Sequence, residues 1–346
     1  MQKKFRFGLV GCGRISKNHF EAIRNNTSRA KLVAVCDAQK ERAEKVAEEN
    51  IVPYYTNLDE MLDNEKIDVL SICTPSSMHA AQGITAAERG VHVLSEKPIG
   101  TELGEVDKLI RICETNRVKL FVIKQNRLNP TLRLLKSAVD KGRFGRIYMS
   151  VVNVFWTRPQ EYYDSAKWRG TWEFDGGAFL NQASHYVDMI EWLIGAPESV
   201  IAYTATLARK IQAEDTGSAV IKFNNGCIGS INVTMLTYPQ NREGSITILG
   251  EKGTVKIGGT ALNKVEHWEF QNYDDDDKYL NQAENFLSNV HMVGHTGYYK
   301  NVLDVLEAGI DPYVDGKEGR KSLELILAIY KSSKEGRSIA LPLENY

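Results

Sequence analysis

Residues 5–37 read FRFGLVGCGRISKNHFEAIRNNTSRAKLVAVCD, and the fold is decided there. An apolar run, Phe5 to Val10, enters a glycine turn, Gly11-Cys12-Gly13, followed by Arg14 and Ile15. The pattern predicts a helix from about Ser16 and a second strand, Leu32 to Cys36, that ends in Asp37. Strand, glycine turn, helix, then a strand with an acid at its end is the order of a Rossmann dinucleotide site. Gly11 permits the tight turn, and Gly13 removes a side chain where a pyrophosphate must approach the backbone. The helix N-terminus offers free N–H groups and a partial positive charge to that pyrophosphate. Ser16 stands in for the third glycine of the fingerprint and is small enough for close packing. Asp37 can accept hydrogen bonds from an adenosine ribose, and its charge repels a 2′-phosphate. Ala38 and Gln39 offer no guanidinium, and Lys40 and Arg42 are expected to start a helix that points away. The expected cofactor is NAD.

Working outward, strand-like and helix-like segments alternate through residue 124. The strands are Phe5–Val10, Lys31–Cys36, Val52–Tyr55, Asp68–Cys73, His92–Ser95 and Lys119–Ile123. This alternation predicts an α/β fold whose first domain, 1–124, is a doubly wound parallel sheet. After Pro130 the pattern changes. A helix is expected over Thr131–Lys141, then β-type runs at Arg146–Phe155, Ser199–Ala208, Ser218–Phe223, Cys227–Thr234, Ser245–Leu249 and Gly253–Ile257. One helix, Ala183–Leu193, interrupts them. The second domain, 125–316, is therefore expected to be α+β on a mostly antiparallel sheet. A C-terminal helix, about 317–337, is expected to pack back on the first domain. Asp274 to Asp277 reads as a solvated loop rather than a metal site.

The chain has 346 residues, 43 basic and 44 acidic, for a net charge of −1. That balance gives no reason to expect nucleic acid or an anionic membrane as a partner. The N-terminal apolar run is too short for a signal peptide and serves as the first strand. No run approaches the length of a membrane span. The five cysteines, Cys12, Cys36, Cys73, Cys113 and Cys227, include no CxxC pair and read as buried reduced thiols. No metal is expected from the seven histidines. A cytoplasmic protein is the expectation.

Ligands of doubly wound sheets sit at the carboxyl ends of the strands. Here those ends are Thr74-Pro75-Ser76-Ser77-Met78-His79, Glu96-Lys97-Pro98 and Lys124-Gln125-Asn126-Arg127. A lysine at such an end can hold a substrate hydroxyl and stabilise oxyanion character. The bland alternative is a surface pair of Lys97 with Glu96. The second domain supplies a partner in GGAFLNQASHYVD at 176–188, where His185 follows a glycine-rich turn at a helix start. Histidine titrates near neutral pH and can accept a hydroxyl proton.

These motifs together resemble the Gfo/Idh/MocA oxidoreductases over nearly the whole chain. The carrying residues are GCGRIS at 11–16, Asp37, TPSSMH at 74–79, EKP at 96–98, QNRLNP at 125–130 and GGAFLNQASHYVD at 176–188. The turn Glu214-Asp215-Thr216 and GHTGYYKNVLDVLEAG at 294–309 also fit. The resemblance implies a Rossmann domain followed by an open-faced sheet domain. It implies a bound NAD contacted by Gly11, Gly13, Arg14, Ile15, Asp37, Thr74, Pro75, Ser77, His79, Glu96, Lys97, Gln125 and Arg127. It implies Lys97 and His185 as catalytic residues, and a cis Lys97–Pro98 peptide. Many sugar and inositol dehydrogenases of the family carry Asp four residues before the histidine. Here that position is Asn181, followed by Gln182, so an aspartate-assisted histidine is not expected.

The stretch FWTRPQEYYDSAKWRGTWEFDGGAFLNQASH at 155–185 resembles one branch of the family. That branch oxidises UDP-N-acetylglucosaminuronate at C3 on the route to surface polysaccharide. Arg158 and Arg169 suit a carboxylate or diphosphate, and Tyr162, Tyr163, Trp168 and Trp172 suit sugar faces and uracil. The implied substrate set is Lys97, Arg158, Tyr162, Tyr163, Trp168, Arg169, Asn181, Gln182 and His185. The resemblance further implies a 2-oxo acid as a possible reoxidant of bound NADH. A flat apolar sheet face would need covering, which points to a homo-oligomer, dimer or tetramer. Two alternatives stay open: another substrate (a free sugar, an inositol or a different nucleotide sugar), or a non-catalytic NAD-dependent sensor.

Overall fold

The computed structural model describes residues 4–285 and 290–344. The chain divides into two units, one made of residues up to Gln125 with His291–Arg320, the other of Asn126–Val290 with the chain from Lys321 on.

The first unit alternates as its apolar runs predict. β1 (Phe5–Val10), α1 (Ser16–Arg24), β2 (Ala30–Cys36), α2 (Lys40–Asn50), β3 (Tyr54–Tyr55), α3 (Leu58–Asn64), β4 (Val69–Ile72), α4 (His79–Glu88), β5 (His92–Ser95), α5 (Leu103–Thr115) and β6 (Leu120–Val122) follow in order. The strands form one parallel sheet in the order β3-β2-β1-β4-β5-β6. Strand order reverses between β1 and β4, which opens a crevice at their carboxyl ends. Leu9, Cys12, Phe20, Val35, Ala47 and Cys73 form a core directly beneath the glycine turn, and Ile15 packs against it.

The second unit opens with α6 (Pro130–Asp140), β7 (Ile147–Phe155), α7 (Gln160–Asp164) and α8 (Ser184–Ile194). β8 (Pro197–Ala205), β9 (Thr216–Phe223), β10 (Ile228–Thr234), β11 (Glu243–Gly250), β12 (Gly253–Gly258), β13 (Lys264–Phe270) and α9 (Leu280–Asn285) follow. The chain then continues with α10 (Val290–Ala308), which from His291 belongs to the first unit, α11 (Gly316–Glu335) and β14 (Ile339–Ala340). The sheet order is β13-β12-β11-β7-β10-β9-β8-β14. It is antiparallel except for the central pair β7 and β10, which is parallel, so the sheet is mixed. β13 and β14 are additions to the expected strands. β8 to β10 alternate buried and exposed residues. The other face leaves Tyr148, Met149, Ile201, Tyr203, Val220 and Ile228 exposed.

Two segments fall differently from the expected boundaries. His291–Arg320 clusters with the first unit. Val122 N–H donates to Val314 O at 3.1 Å, and the small Gly316 and Gly319 sit against Leu120 and Val122. Helix α11 divides. Its first residues belong to the first unit, where Arg320 pairs with Asp107, and from Lys321 it belongs to the second. There Ser332 and Ser333 accept the backbone N–H groups of Ala202 and Thr204, both at 2.9 Å. Those hydroxyls satisfy β8 donors next to the short β14 pairing, where an edge would otherwise be open.

The acidic run is not a bare solvated loop. Asp274 caps a short 3₁₀ turn, Asp275–Tyr279. Lys141 meets Asp274 and Asp276 at 2.7 and 2.8 Å, and Arg143 meets Asp277 at 2.7 Å. All five cysteines are buried and free.

Candidate active site

In the first unit the glycine turn lies where the strand order reverses. Gly11 has φ +92°, and a Cβ there would stand 2.6 Å from the Cys73 backbone, so both conformation and space require glycine. Gly13 is different: a Cβ there would meet nothing within 4 Å. The missing side chain leaves room on the approach side. Ser16 turns its hydroxyl back to Gly13 O at 2.7 Å. Helix α1 has no side-chain cap at Ile15 and no acid in its first turn. Uncapped N–H donors beside an open glycine fit a dinucleotide pyrophosphate.

Asp37 is held before any ligand arrives. Its carboxylate accepts the N–H groups of Cys12 and Gln39, each at 2.9 Å. Arg42 does not point away as expected: its Nη1 lies 3.5 Å from Asp37 Oδ2, because the helix starting at Lys40 puts residue 42 on the side of the strand end. Burial pushes the Cys12 thiol up to about 12, so the cysteine in the turn is no nucleophile.

The β4 and β5 ends are tied together. His79 is buried, with Nδ1 2.7 Å from Pro98 O and Nε2 2.8 Å from Thr74 O. Thr74 donates its hydroxyl to Gln82 at 2.7 Å. Ser77 and Pro75 are half-buried beside them, and Gln125 is buried at the β6 end. Arg14 is exposed next to the glycine turn. Ile15 belongs to the core below it, and so supports the turn from beneath. The Lys97–Pro98 peptide is cis, as the resemblance implied.

Glu96 is not at the surface. It is buried, and its Oε1 takes His19 Nε2 at 3.0 Å and His295 Nε2 at 2.8 Å. Burial alone would raise its pKa. The two imidazole hydrogen bonds outweigh that and hold it well below the carboxylate range. Burial lowers the His19 pKa. These three groups have their ligand atoms within 4.8 Å of one another, the one such metal-capable cluster among the described residues. His19 and His295 were not singled out by sequence, because nothing in their local pattern points to Glu96.

The second unit gathers much of the 155–185 segment. Arg158 donates from Nε to Gln182 Oε1 at 2.8 Å. Gln182 donates to the Tyr162 hydroxyl at 2.9 Å, and Arg169 also bonds that hydroxyl. Both guanidiniums lie over aromatic rings: Arg158 over Trp156 and Tyr162, Arg169 over Tyr162 and Trp168. Stacked, pre-oriented guanidiniums are suited to planar anions. Tyr163 is buried and supports the segment from beneath, and Trp172 packs its edge on Tyr330.

The charge absent at Asn181 is close at hand. Asp175, buried, accepts from the Asn181 amide and from Gly170 N–H at 2.7 Å. Sequence did not single it out, although it directly precedes Gly176-Gly177. The turn over Ala178–Gln182 winds with a wider repeat, Ala183 N–H reaching Ala178 O at 2.8 Å. Glu214 braces it, accepting from Phe179 N–H and the Tyr330 hydroxyl, each at 2.9 Å. Burial raises its carboxyl to about 7. His185 follows, half-buried in the first turn of α8.

Arg127, expected at the cofactor, is paired within the second unit. Its Nε and Nη2 both donate to Asp188, at 2.8 Å each, with both side chains buried. The guanidinium also lies over Trp192. It therefore anchors α8, the helix that carries His185.

Residues 5–124 match the description "Oxidoreductase family, NAD-binding Rossmann fold" and residues 136–341 "Oxidoreductase family, C-terminal alpha/beta domain". The chain belongs to the Gfo/Idh/MocA family. Its similarity to solved members is high. A WlbA dehydrogenase from Bordetella pertussis, solved with NADH and UDP-GlcNAcA, is 52% identical with a TM-score of 0.97, covering 99% of this chain and 100% of that one. The WlbA enzyme from Chromobacterium violaceum, solved with the same two ligands, is 50% identical with a TM-score of 0.96, covering 100% and 98%. Among curated relatives, inositol 2-dehydrogenase of Rhizobium meliloti is 28% identical over 97% of this chain and 99% of that one. As a member of this family the chain is an NAD-dependent oxidoreductase. The open Gly13, the uncapped α1 and the preset Asp37 have the chemistry to hold that cofactor. No helix among the described residues is long and apolar enough to cross a membrane.

Proposed function

We propose that this protein is an NAD-dependent dehydrogenase that oxidises the C3 hydroxyl of UDP-N-acetylglucosaminuronate to the 3-keto sugar. The observation that carries this reading is 52% identity across 99% of the chain to a dehydrogenase solved with NADH and UDP-GlcNAcA. The Arg158–Tyr162–Arg169–Gln182 cluster supports it, since a uronate and a diphosphate both need bidentate cations. NAD, when bound, supplies the hydride acceptor. His185 takes the hydroxyl proton and Lys97 holds the hydroxyl oxygen, so the alcohol loses proton and hydride together. The product enters surface-polysaccharide synthesis in the cytoplasm, and a 2-oxo acid reoxidises the cofactor. The exposed apolar face of the second sheet is covered by a further copy, in a dimer or tetramer. Absorbance of bound NADH, addition of UDP-sugars and free inositols, and mass spectrometry of the product test the substrate. Turnover of an inositol with none of the UDP-uronate would select the alternative.

Two outcomes are expected at the anion sites. Arg158→Lys or Arg169→Lys keeps charge but loses the planar fork. At least one should raise KM for the UDP-uronate about tenfold, since a charge-assisted hydrogen bond is worth roughly 1.5–3 kcal/mol. Normal kinetics in both would make the segment structural.

Calorimetry should show tighter binding of NAD than of NADP. Asp37→Ala removes the repelling carboxylate and frees Arg42, 3.5 Å away, to pair with a 2′-phosphate. That variant should bind NADP at least as well as NAD. An unchanged preference would show that Asp37 does not set it.

A further inference from the structure

Glu96 directly precedes Lys97 in sequence. Glu96 Oε1 is shared by His19 and His295. Its Oε2 accepts the Lys97 backbone N–H at 3.2 Å. Behind His19, Nδ1 lies 2.9 Å from the Tyr299 hydroxyl, which lies 2.7 Å from Ser71 Oγ. His295 and Tyr299 stand one turn apart on α10, so one helix face supplies both. On the far side of the turn, His79 meets Pro98 O at 2.7 Å. His19, His79 and His295 are each 1% exposed or less.

An ionised carboxylate only accepts, so both Nε2 atoms donate to Glu96. Two imidazole N–H groups thus meet one buried negative charge, with the Tyr299 and Ser71 hydroxyls behind one of them. Such an arrangement exceeds what a turn needs for folding alone, because a buried carboxylate costs more than an apolar side chain of the same size.

We propose that Glu96 is a positioning residue: clamped by His19 and His295, its carboxylate fixes the Lys97 main chain and so aims the Lys97 ammonium. The inference rests on the role given to Lys97 under the proposed function. Displacement of a reacting group by about 1 Å can cost about 10²-fold in rate.

Glu96→Gln keeps the shape and removes the charge. In the full-length protein it should lower kcat about 10²-fold while NAD affinity and the KM for the UDP-uronate change by no more than a few-fold. Added to Lys97→Met, it should cause no further loss, since both act through one ammonium. His295→Gln, which retains an N–H donor, should keep most of kcat, whereas His295→Phe should not. That contrast remains readable if Glu96→Gln does not fold. Full kcat in Glu96→Gln beside an impaired Lys97→Met overturns the clamp alone. So does an equal loss in the Lys97→Met background, or one bound metal per chain by elemental analysis. Full kcat in Lys97→Met overturns the reading of Lys97 and the clamp with it.

Discussion

Lys97→Met and His185→Asn should each lower kcat by about 10²–10⁴-fold, the range of a lost general acid–base group. Oxidising an alcohol releases a proton with the hydride, and the cofactor cannot take it. Histidine as a residue type has a pKa near the working range, and lysine does not unless burial lowers it. The proposed function accordingly gives the histidine the proton and the lysine the oxygen. NAD affinity should stay nearly intact in both variants, because Asp37, Gly13 and the α1 N-terminus are untouched. The double variant should lose less than the product of the single losses, since both residues serve one proton transfer. Stopped-flow measurement of NADH formation with the UDP-uronate reads both effects. Near-normal kcat in the two single variants would leave a nucleotide-binding fold without this mechanism.

Arg127→Ala should destabilise the second unit by about 3–5 kcal/mol, the usual cost of leaving a buried charge without its partner. Asp188 is 1% exposed and takes both Arg127 nitrogens at 2.8 Å. Alanine would also remove the cation over Trp192. Arg127→Met with Asp188→Leu replaces the pair by apolar groups of similar size and should recover most of the loss. Urea unfolding followed by tryptophan fluorescence, to which Trp192 contributes with the other four tryptophans, measures the loss. If Arg127→Ala unfolds at the parental urea concentration, the pair is not an anchor. Because α8 also carries His185, the single variant should lose turnover before it unfolds, whereas the double variant should regain it.

Much of this was legible because it is local. β1, the glycine turn and α1 are contiguous, and α1 begins at Ser16 as the pattern predicts. Asp37 directly follows β2, where the next strand of a Rossmann unit must put it. The 155–185 segment also carried its own signal, since Arg158, Tyr162, Arg169 and Gln182 lie within one loop and its following turn. Strand direction was less legible. β7 and β10 pair in parallel although hairpins surround them, and alternation of apolar residues is the same for both directions. β13, KVEHWEF, is half-polar and carries no strand signal of its own; its pairing with β12 makes it one.

The sequence by itself determined the Rossmann unit, the nicotinamide cofactor and the residue types at the strand ends, because backbone spacing alone delivers those groups. Only the tertiary structure decided which side chains those groups meet. His19 and His295 lie 77 and 199 residues from Glu96 along the chain, and Asp188 lies 61 from Arg127. Arg42 turned toward Asp37 for the same reason: a side chain's direction follows from the helix start that packing selects. Charges buried in an apolar interior must find partners wherever the fold brings them. Their pairing is therefore a property of the packed molecule, and no local pattern in the chain records it.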